Sequence, residues 1–297
     1  LPMKIAAVFA SYNRKDVVLE CVARLHAQTR QPDLVVVADN ASDDASVEAL
    51  RALEWESLEV LETGDNLGNA GAVKMAMEHA FDRGCDAVWI LDDDSWPQAK
   101  ALDALLSGNW DGKSVRHAHQ VDPQTQQFTW PLMVRDETTR GGWRAVWKMD
   151  ELPEGEWVES KISWTGALIS REIWNAAGPV PGELFIRGED EEYPQRIRQA
   201  GYRFFAGRNA LMDHPGPPEL ASWRFLGKRL FIEPGLADWK LYYKVRNMVW
   251  IKKRHEGRVA AMAIAVAYAF GLARVDGPQR ASLWWEAVRD GWQGRLG

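Results

Sequence analysis

At 297 residues the chain is long enough for one large α/β domain or a domain with an appendage. Its 46% hydrophobic and 26% charged residues are ordinary for a soluble globular protein and exclude general disorder. A formal charge of −6 speaks against general nucleic-acid binding. The only cysteines, Cys21 and Cys85, lack metal-ligand spacing and read as buried thiols of a reducing compartment.

The first hundred residues alternate between strand and helix signals. Lys4–Ala10 is a short apolar strand, too short for a signal peptide and without a cleavage site, and Arg14–Gln28 has helical periodicity. Leu34–Ala38 is a β-branched run ending at Asp39, Asp44–Leu53 a helix, Leu58–Leu61 a strand, and Ala70–Arg83 a helix. Ala87–Leu91 is a further strand that runs into Asp92. Continuous apolar strands separated by helices predict βαβ units and a parallel sheet buried on both faces. Ligands of such sheets bind beyond the carboxyl ends of the strands. Polar clusters fall there: Ser11-Tyr12-Asn13-Arg14, Asp39-Asn40-Ala41-Ser42-Asp43 and Asp92-Asp93-Asp94.

After Trp110 the pattern loosens, and residues 111–163 read as a β-rich excursion with many tryptophans. Thr165–Ser170 is an apolar strand, Arg171–Ala177 a short helix, Glu189–Ala200 a helix and Tyr202–Met212 extended. From Asp238 onward the chain reads as helical, so a main domain at 3–220 and a helical region at 221–297 are expected. Between Ser222 and Arg258 ten Lys/Arg face three acids, which suits a solvated face, a diphosphate or an anionic membrane surface. The 15-residue apolar run Val259–Ala273 follows, shorter than a spanning helix of about 20 residues.

Three consecutive carboxylates at the end of a buried strand repel one another and lose hydration, so they ask for a cation. Side chains at i and i+2 leave a strand on one face, which lets Asp92 and Asp94 converge on one ion and sends Asp93 to the other side. Hard oxygen ligands suit Mg²⁺ or Mn²⁺. The competing reading is a helix N-cap before Trp96-Pro97, for which one Asp suffices.

Phe9-Ala-Ser-Tyr-Asn-Arg14, Val37-Ala-Asp-Asn-Ala-Ser-Asp43, Asn66-Leu-Gly and Trp89-Ile-Leu-Asp-Asp-Asp-Ser95 occur in that order. Thr165-Gly-Ala-Leu-Ile-Ser-Arg171 and Phe185-Ile-Arg-Gly-Glu-Asp-Glu-Glu-Tyr193 follow, with Arg196 and Gly201-Tyr202 behind them. Over roughly residues 4–215 this series resembles family 2 glycosyltransferases. The triple Asp and Tyr242-Tyr243-Lys-Val-Arg-Asn247 are most similar to the galactofuranosyl- and rhamnosyltransferase branch.

The resemblance implies a GT-A, Rossmann-like α/β fold and an inverting, metal-dependent hexosyltransferase. Its donor would be a UDP- or dTDP-sugar, with galactofuranose or rhamnose favoured, and its acceptor a glycan or lipid-linked glycan of cell-wall or polysaccharide biosynthesis. Tyr12, Arg14, Asp39, Asn66 and Asp93 are thereby matched to the nucleotide sugar. Asp39 suits that task as a carboxylate that accepts from a base N–H or ribose hydroxyls, and Arg14 as a fork for phosphate. Asp190 is matched to the base that takes the acceptor's proton, though acids there also favour a helix N-terminus. Glu189 beside it and Trp164 are matched to the acceptor, His214 to the metal with Asp92 and Asp94, and Arg246 to the diphosphate.

Two other readings compete. A sugar-nucleotide pyrophosphorylase needs a Gly-rich, basic loop after its first strand, which Phe9–Arg14 does not supply. A non-catalytic carbohydrate-binding protein has no use for Asp92, Asp94, Asp190 and His214 together. The expected location is cytoplasmic, with peripheral contact at the inner membrane face through the basic stretch and the apolar run. Seven alanines in that run equally permit close helix packing, within the monomer or in a homo-oligomer.

Overall fold

The computed structural model describes residues 3–215, 221–225 and 228–297. Strands β1 (Ile5–Ser11) and β2 (Leu34–Asp39) are buried along their whole length, as continuous apolar runs require. Alternate β1 residues serve two cores. Ala6, Val8 and Ala10 face one, and Ile5, Ala7 and Phe9 the other. Helices α1 (Lys15–His26) and α2 (Ser46–Arg51) supply Val18, Val22 and Leu50 to the second core. After β3 (Leu58–Glu62), α3 (Gly68–Asp82) supplies Val73, Met77 and Phe81 to the first.

Strand β4 (Ala87–Ile90) completes a parallel group in the order β3-β2-β1-β4. Register sets Ser11 beside Asp39 and Val8 beside Ile90, so the three loops that follow β1, β2 and β4 share one edge. The expected βαβ series is therefore present. Short β5 (Trp96–Pro97) and α4 (Ala101–Leu106) come next.

The region read as a β-rich excursion extends the same sheet. It contributes β6 (Val115–Val121), β7 (Gln127–Arg135), β8 (Trp143–Lys148) and β9 (Trp157–Ser160). Strand β10 (Ala167–Ser170), α5 (Arg171–Ala177), α6 (Glu189–Gln199) and β11 (Phe204–Asp213) follow. The complete order is β3-β2-β1-β4-β10-β6-β11-β9-β7-β8, with β5 paired to the end of β11. Strand β10 runs antiparallel to β4, so the sheet turns mixed where the βαβ series stops.

The chain forms two units, 1–182 with 193–217 and 183–192 with 218–297. A single cut at residue 220 cannot express this, because ten residues from the middle of the sequence belong to the second unit. That unit also holds the hairpin β12 (Ala221–Phe225) and β13 (Lys228–Ile232), where the basic stretch begins as strands rather than helix. Helices α7 (Asp238–His255), α8 (Arg258–Val275) and α9 (Ala281–Gln293) follow. Helix α7 meets α9 closely because Gly291 leaves space for the backbone of Arg246.

Candidate active site

In the first unit the loops at the carboxyl edge are tied by short polar bonds. Asp39 is buried, and its two oxygens accept from the Ser42 N–H (2.8 Å) and hydroxyl (2.7 Å), which holds the turn after β2. The Asn13 N–H donates to the Ser42 hydroxyl at 2.9 Å, and the Asp43 N–H to Asn13 Oδ1 at 2.8 Å. Asn13 takes a positive φ of 49°, which an Asx side chain tolerates. Asn66 Oδ1 accepts from the Gly68 N–H (2.9 Å) and so opens α3. Tyr12 lies exposed at this edge.

The triple Asp after β4 is held from three directions. Arg14 donates to Asp93 Oδ1 (2.7 Å) and to Asp94 Oδ2 (3.0 Å), and the Thr165 hydroxyl donates to Asp92 Oδ2 (2.6 Å). Thr165 is placed by Gly166, whose N–H donates to Ile90 O at 2.7 Å. With φ at 83° and Ala118 O only 2.8 Å from where a Cβ would stand, no other residue fits position 166. Burial pushes the Asp93 carboxyl up to about 7, with Asp94 and Asp92 adding to the effect and Arg14 opposing it. Arg14, expected on phosphate, here neutralises the acids.

His214 Nε2 lies 3.7 Å from Asp94 Oδ1. Its Nδ1 is 2.8 Å from Pro215 O and 3.1 Å from the Thr129 hydroxyl. A carbonyl only accepts, so Nδ1 carries a proton and Nε2 is the ring nitrogen that faces Asp94. This is the arrangement in which a ligating imidazole is oriented by its other nitrogen. The Asp94 oxygen and the His214 nitrogen suit one hard divalent cation. Asp92 is turned to Thr165, and among the described residues no group of three His, Cys, Asp or Glu stands close enough to hold a metal.

Trp164, expected as an acceptor platform, is buried in the core edge-on to Tyr193, with ring centroids 6.0 Å apart. Its indole nitrogen has no hydrogen-bond partner among the described residues.

In the second unit Glu189–Glu192 open α6, where four acids meet the positive end of the helix. The loop before them is strained. Phe185 and Arg187, neither of them glycine, have φ of 66° and 61°. Asn247 holds this loop from α7. Its two N–H bonds are shared among Leu184 O (2.9 Å), Ile186 O (2.9 Å) and Arg187 O (3.0 Å). Gly188 leaves the space that Asn247 occupies, since a Cβ there would stand 2.8 Å from the Asn247 Cβ. Arg187 forms a bidentate pair with Glu233 at 2.7 and 3.0 Å, and Lys244 joins it at 2.9 Å. Although burial works against the charge of Glu233, Arg187 and Lys244 hold its carboxyl down at about 2.

Arg246 departs from its expected place on a diphosphate. It is buried, and its guanidinium donates to Leu296 O (2.7 Å), Leu184 O (3.1 Å), Glu183 O (3.2 Å) and Asn247 Oδ1 (2.9 Å). Those bonds make it a backbone clamp. Asp190 reaches the surface of its unit. Crowding by protein withdraws water from its carboxylate and, with the charge of Glu191, lifts its pKa above the usual aspartate value, against Arg187 and Lys244. Glu189 is buried beside it. Lys252 pairs with Glu191 at 3.4 Å, and His255 Nε2 stands 3.3 Å from Glu192. Lys252 and Arg254 of the basic stretch thus answer the acidic run inside its own unit.

Thr129 and Glu233 are site residues outside every motif, whereas Thr165, Arg187 and Asn247 lie inside the runs Thr165–Arg171, Phe185–Tyr193 and Tyr242–Asn247 without being singled out there. For Asn247 a signal existed, since it ends the Tyr242–Asn247 run, but its partners lie 60 to 63 positions away.

Residues 7–174 match the profile of the family described as "Glycosyl transferase family 2". The galactofuranosyltransferase GlfT1 of Mycobacterium tuberculosis is 30% identical over 215 residues, covering 71% of this chain and 70% of that one. The N-acetylglucosaminyl-diphospho-decaprenol L-rhamnosyltransferase of the same organism is 26% identical over 205 residues, covering 61% and 66%. Among solved structures, GalNAc-T7 with UDP, GalNAc and Mn²⁺ superposes with a TM-score of 0.58 at 15% identity. That match covers 84% of this chain and 48% of that one.

Proposed function

The chain belongs to glycosyl transferase family 2 and has the GT-A fold, and on that premise we propose that it transfers galactofuranose or rhamnose from a UDP- or dTDP-sugar to a lipid-linked glycan, with inversion. The observation that carries this reading is the carboxyl edge of β1, β2 and β4, which gathers Asp39 and Asp92–Asp94 while His214 Nε2 lies 3.7 Å from Asp94. The two mycobacterial relatives supply the choice of sugar, and the rhamnosyltransferase the choice of a lipid-linked acceptor. GalNAc-T7, crystallised with UDP and Mn²⁺, supports a nucleotide donor and a divalent metal.

Within this reading Asp94 and His214 hold Mn²⁺ or Mg²⁺, with Asp92 poised behind Thr165. Bound there, the ion supplies Lewis acidity toward the leaving diphosphate. Asp93 and Arg14 keep the cluster ordered, and Tyr12, Asp39 and Asn66 line the nucleoside side. Asp190 takes the proton from the acceptor hydroxyl. Its raised pKa suits that role, because a base works best when its pKa approaches the working pH. Glu189 orients acceptor hydroxyls.

The test is release of UDP or dTDP from UDP-galactofuranose and dTDP-rhamnose, with a polyprenyl-diphosphate disaccharide as acceptor. Release should need both Mn²⁺ or Mg²⁺ and the acceptor, and the product should carry the inverted anomeric configuration by NMR. Full turnover in chelator would remove the metal, and a retained configuration would remove the direct displacement. Pyrophosphate exchange into the nucleotide sugar without an acceptor would favour a pyrophosphorylase instead.

A further inference from the structure

Helix α8 is apolar on the side it buries and on the side it does not. Ala261, Ala265, Tyr268, Gly271 and Leu272 are buried within the second unit. Outward, Val259, Met262 and Phe270 are 85%, 54% and 58% exposed. Val266 and Ala273 continue the same line at helical spacing, so the open face is one apolar stripe about four turns long. A helix at the surface of a soluble protein carries polar residues there. Here the window from Arg258 to Val275 has a mean hydropathy of 1.5 and no Asp or Glu, and only 33% of it is buried.

The charges around the stripe indicate what covers it. Arg258 and Arg274 bracket it, and Lys253 and Arg254 precede it. The second unit carries 15 Lys/Arg and 12 Asp/Glu, against 21 and 30 in the first. An apolar stripe with cationic ends matches a leaflet of acyl chains under anionic headgroups. A second copy paired antiparallel along the stripe would set Arg258 of each chain against Arg274 of the other, which like-charge repulsion disfavours.

By length and composition α8 suffices to cross a bilayer, which revises the expectation from its 15-residue core run. Its buried face, however, is already taken by α7 and α9, through Trp284 donating to Ala265 O at 3.0 Å among other contacts. Such a helix lies in the plane of an interface. We propose that α8 is a membrane-docking helix, which sinks the stripe Val259–Met262–Val266–Phe270 into an anionic leaflet while its arginines remain among the headgroups. This assignment is independent of the reaction the chain performs.

The test is flotation of the full chain with vesicles of phosphatidylcholine alone, or of equal parts phosphatidylcholine and phosphatidylglycerol. The bound fraction should be about tenfold larger on the anionic vesicles and fall at high salt. The triple variant Val259→Gln, Met262→Gln, Phe270→Gln should lose binding and keep its melting temperature, since all three side chains are exposed. Absence of flotation on either vesicle at low salt overturns the proposal, as does undiminished binding by a folded triple variant. A dimer in sedimentation equilibrium that the variant abolishes, without vesicle binding, would assign the stripe to a second copy instead.

Discussion

The two acidic clusters are built by opposite means. Asp92–Asp94 stand where a buried parallel strand ends, so their place follows from the local pattern of β4 and from its register with β1. Glu189–Glu192 stand after a strained loop whose shape is imposed from α7, through bonds that Asn247 and Arg246 make to four backbone carbonyls of residues 183–187. The compensation differs as well. One arginine, Arg14, bridges two acids of the first cluster, whereas the second is answered by Lys252 and His255 and flanked by the Arg187–Glu233–Lys244 network. A cluster built on a sheet edge keeps its shape when one ligand changes. A cluster behind a clamped loop moves when the clamp is cut.

That contrast is open to measurement, beginning with the largest effect. Asp94→Ala removes the oxygen that faces His214 and should lower turnover by about 10³-fold or more, the scale of several kcal/mol of charge stabilisation. Its melting temperature should hold or rise, because a charge leaves a crowded site. Turnover within a factor of a few of the parent would break the assignment of the first cluster to the metal. Next, Asp190→Asn keeps shape but accepts no proton, and transfer should fall by about 10²–10⁴-fold. Affinity for the nucleotide diphosphate should stay unchanged in that variant, as measured by calorimetry. If transfer stays near normal, the base lies elsewhere, with Glu189 and Glu191 next in line.

Asn247→Ala tests the clamp itself. It takes the side-chain donor from Ile186 O and Arg187 O, while Leu184 O keeps Arg246 and the Ile186 N–H, at a cost of about 1–3 kcal/mol. The loop before Asp190 should then relax, and a misplacement of about 1 Å can cost up to about 10²-fold in kcat. Nucleotide-diphosphate affinity should again be unchanged, as should that of Asp190→Asn combined with Asn247→Ala. The double variant should be no slower than Asp190→Asn alone, because displacing a base that is already absent has no further effect. A lower melting temperature with unchanged kcat per folded molecule would reduce Asn247 to a structural residue and erase the difference between the clusters.

The same contrast explains what could be read in advance. The βαβ series, its strand ends and the triple Asp are legible, because continuous apolar runs, helical periodicity and charge are local properties. The mixed half of the sheet reads only as β-rich, since strand order there depends on pairings such as β6 with β11, far apart in the chain. Arg246 reads as a diphosphate clamp because an arginine is visible in a sequence and the carbonyls that occupy it are not. Trp164 likewise read as a sugar platform, whereas the fold turns it into the core beside Tyr193. Membership of residues 183–192 in the second unit had no local signal at all, because hydrogen bonds to α7 decide it.

The smallest effect at neutral pH belongs to neither cluster and guards the reading of both. His117 and His119 are buried in β6, where burial lowers their pKa to about 4 and to about 3. His117 keeps both nitrogens engaged, Nδ1 with Ala118 O at 3.2 Å and Nε2 with the Ser160 hydroxyl at 2.7 Å. His119 stacks on Phe128 with ring centroids 5.1 Å apart, and its Nε2 has no partner among the described residues. Both rings stay neutral in the folded chain, while in the unfolded chain they bind protons below about pH 6.5. The unfolded state therefore holds more protons between those limits, so stability is full above about pH 6.5 and declines as pH falls toward 4 and then 3. By pH 5 each histidine should have withdrawn on the order of 1–2 kcal/mol. His119→Phe removes one titration and an unsatisfied buried nitrogen, so it should be near neutral at pH 7 and more stable than the parent at pH 5 by thermal melting. If the two chains lose the same stability between pH 7 and 5, acid sensitivity lies outside this strand. An acidic limb in the rate profile could then be ascribed to the carboxylate clusters without correction for unfolding.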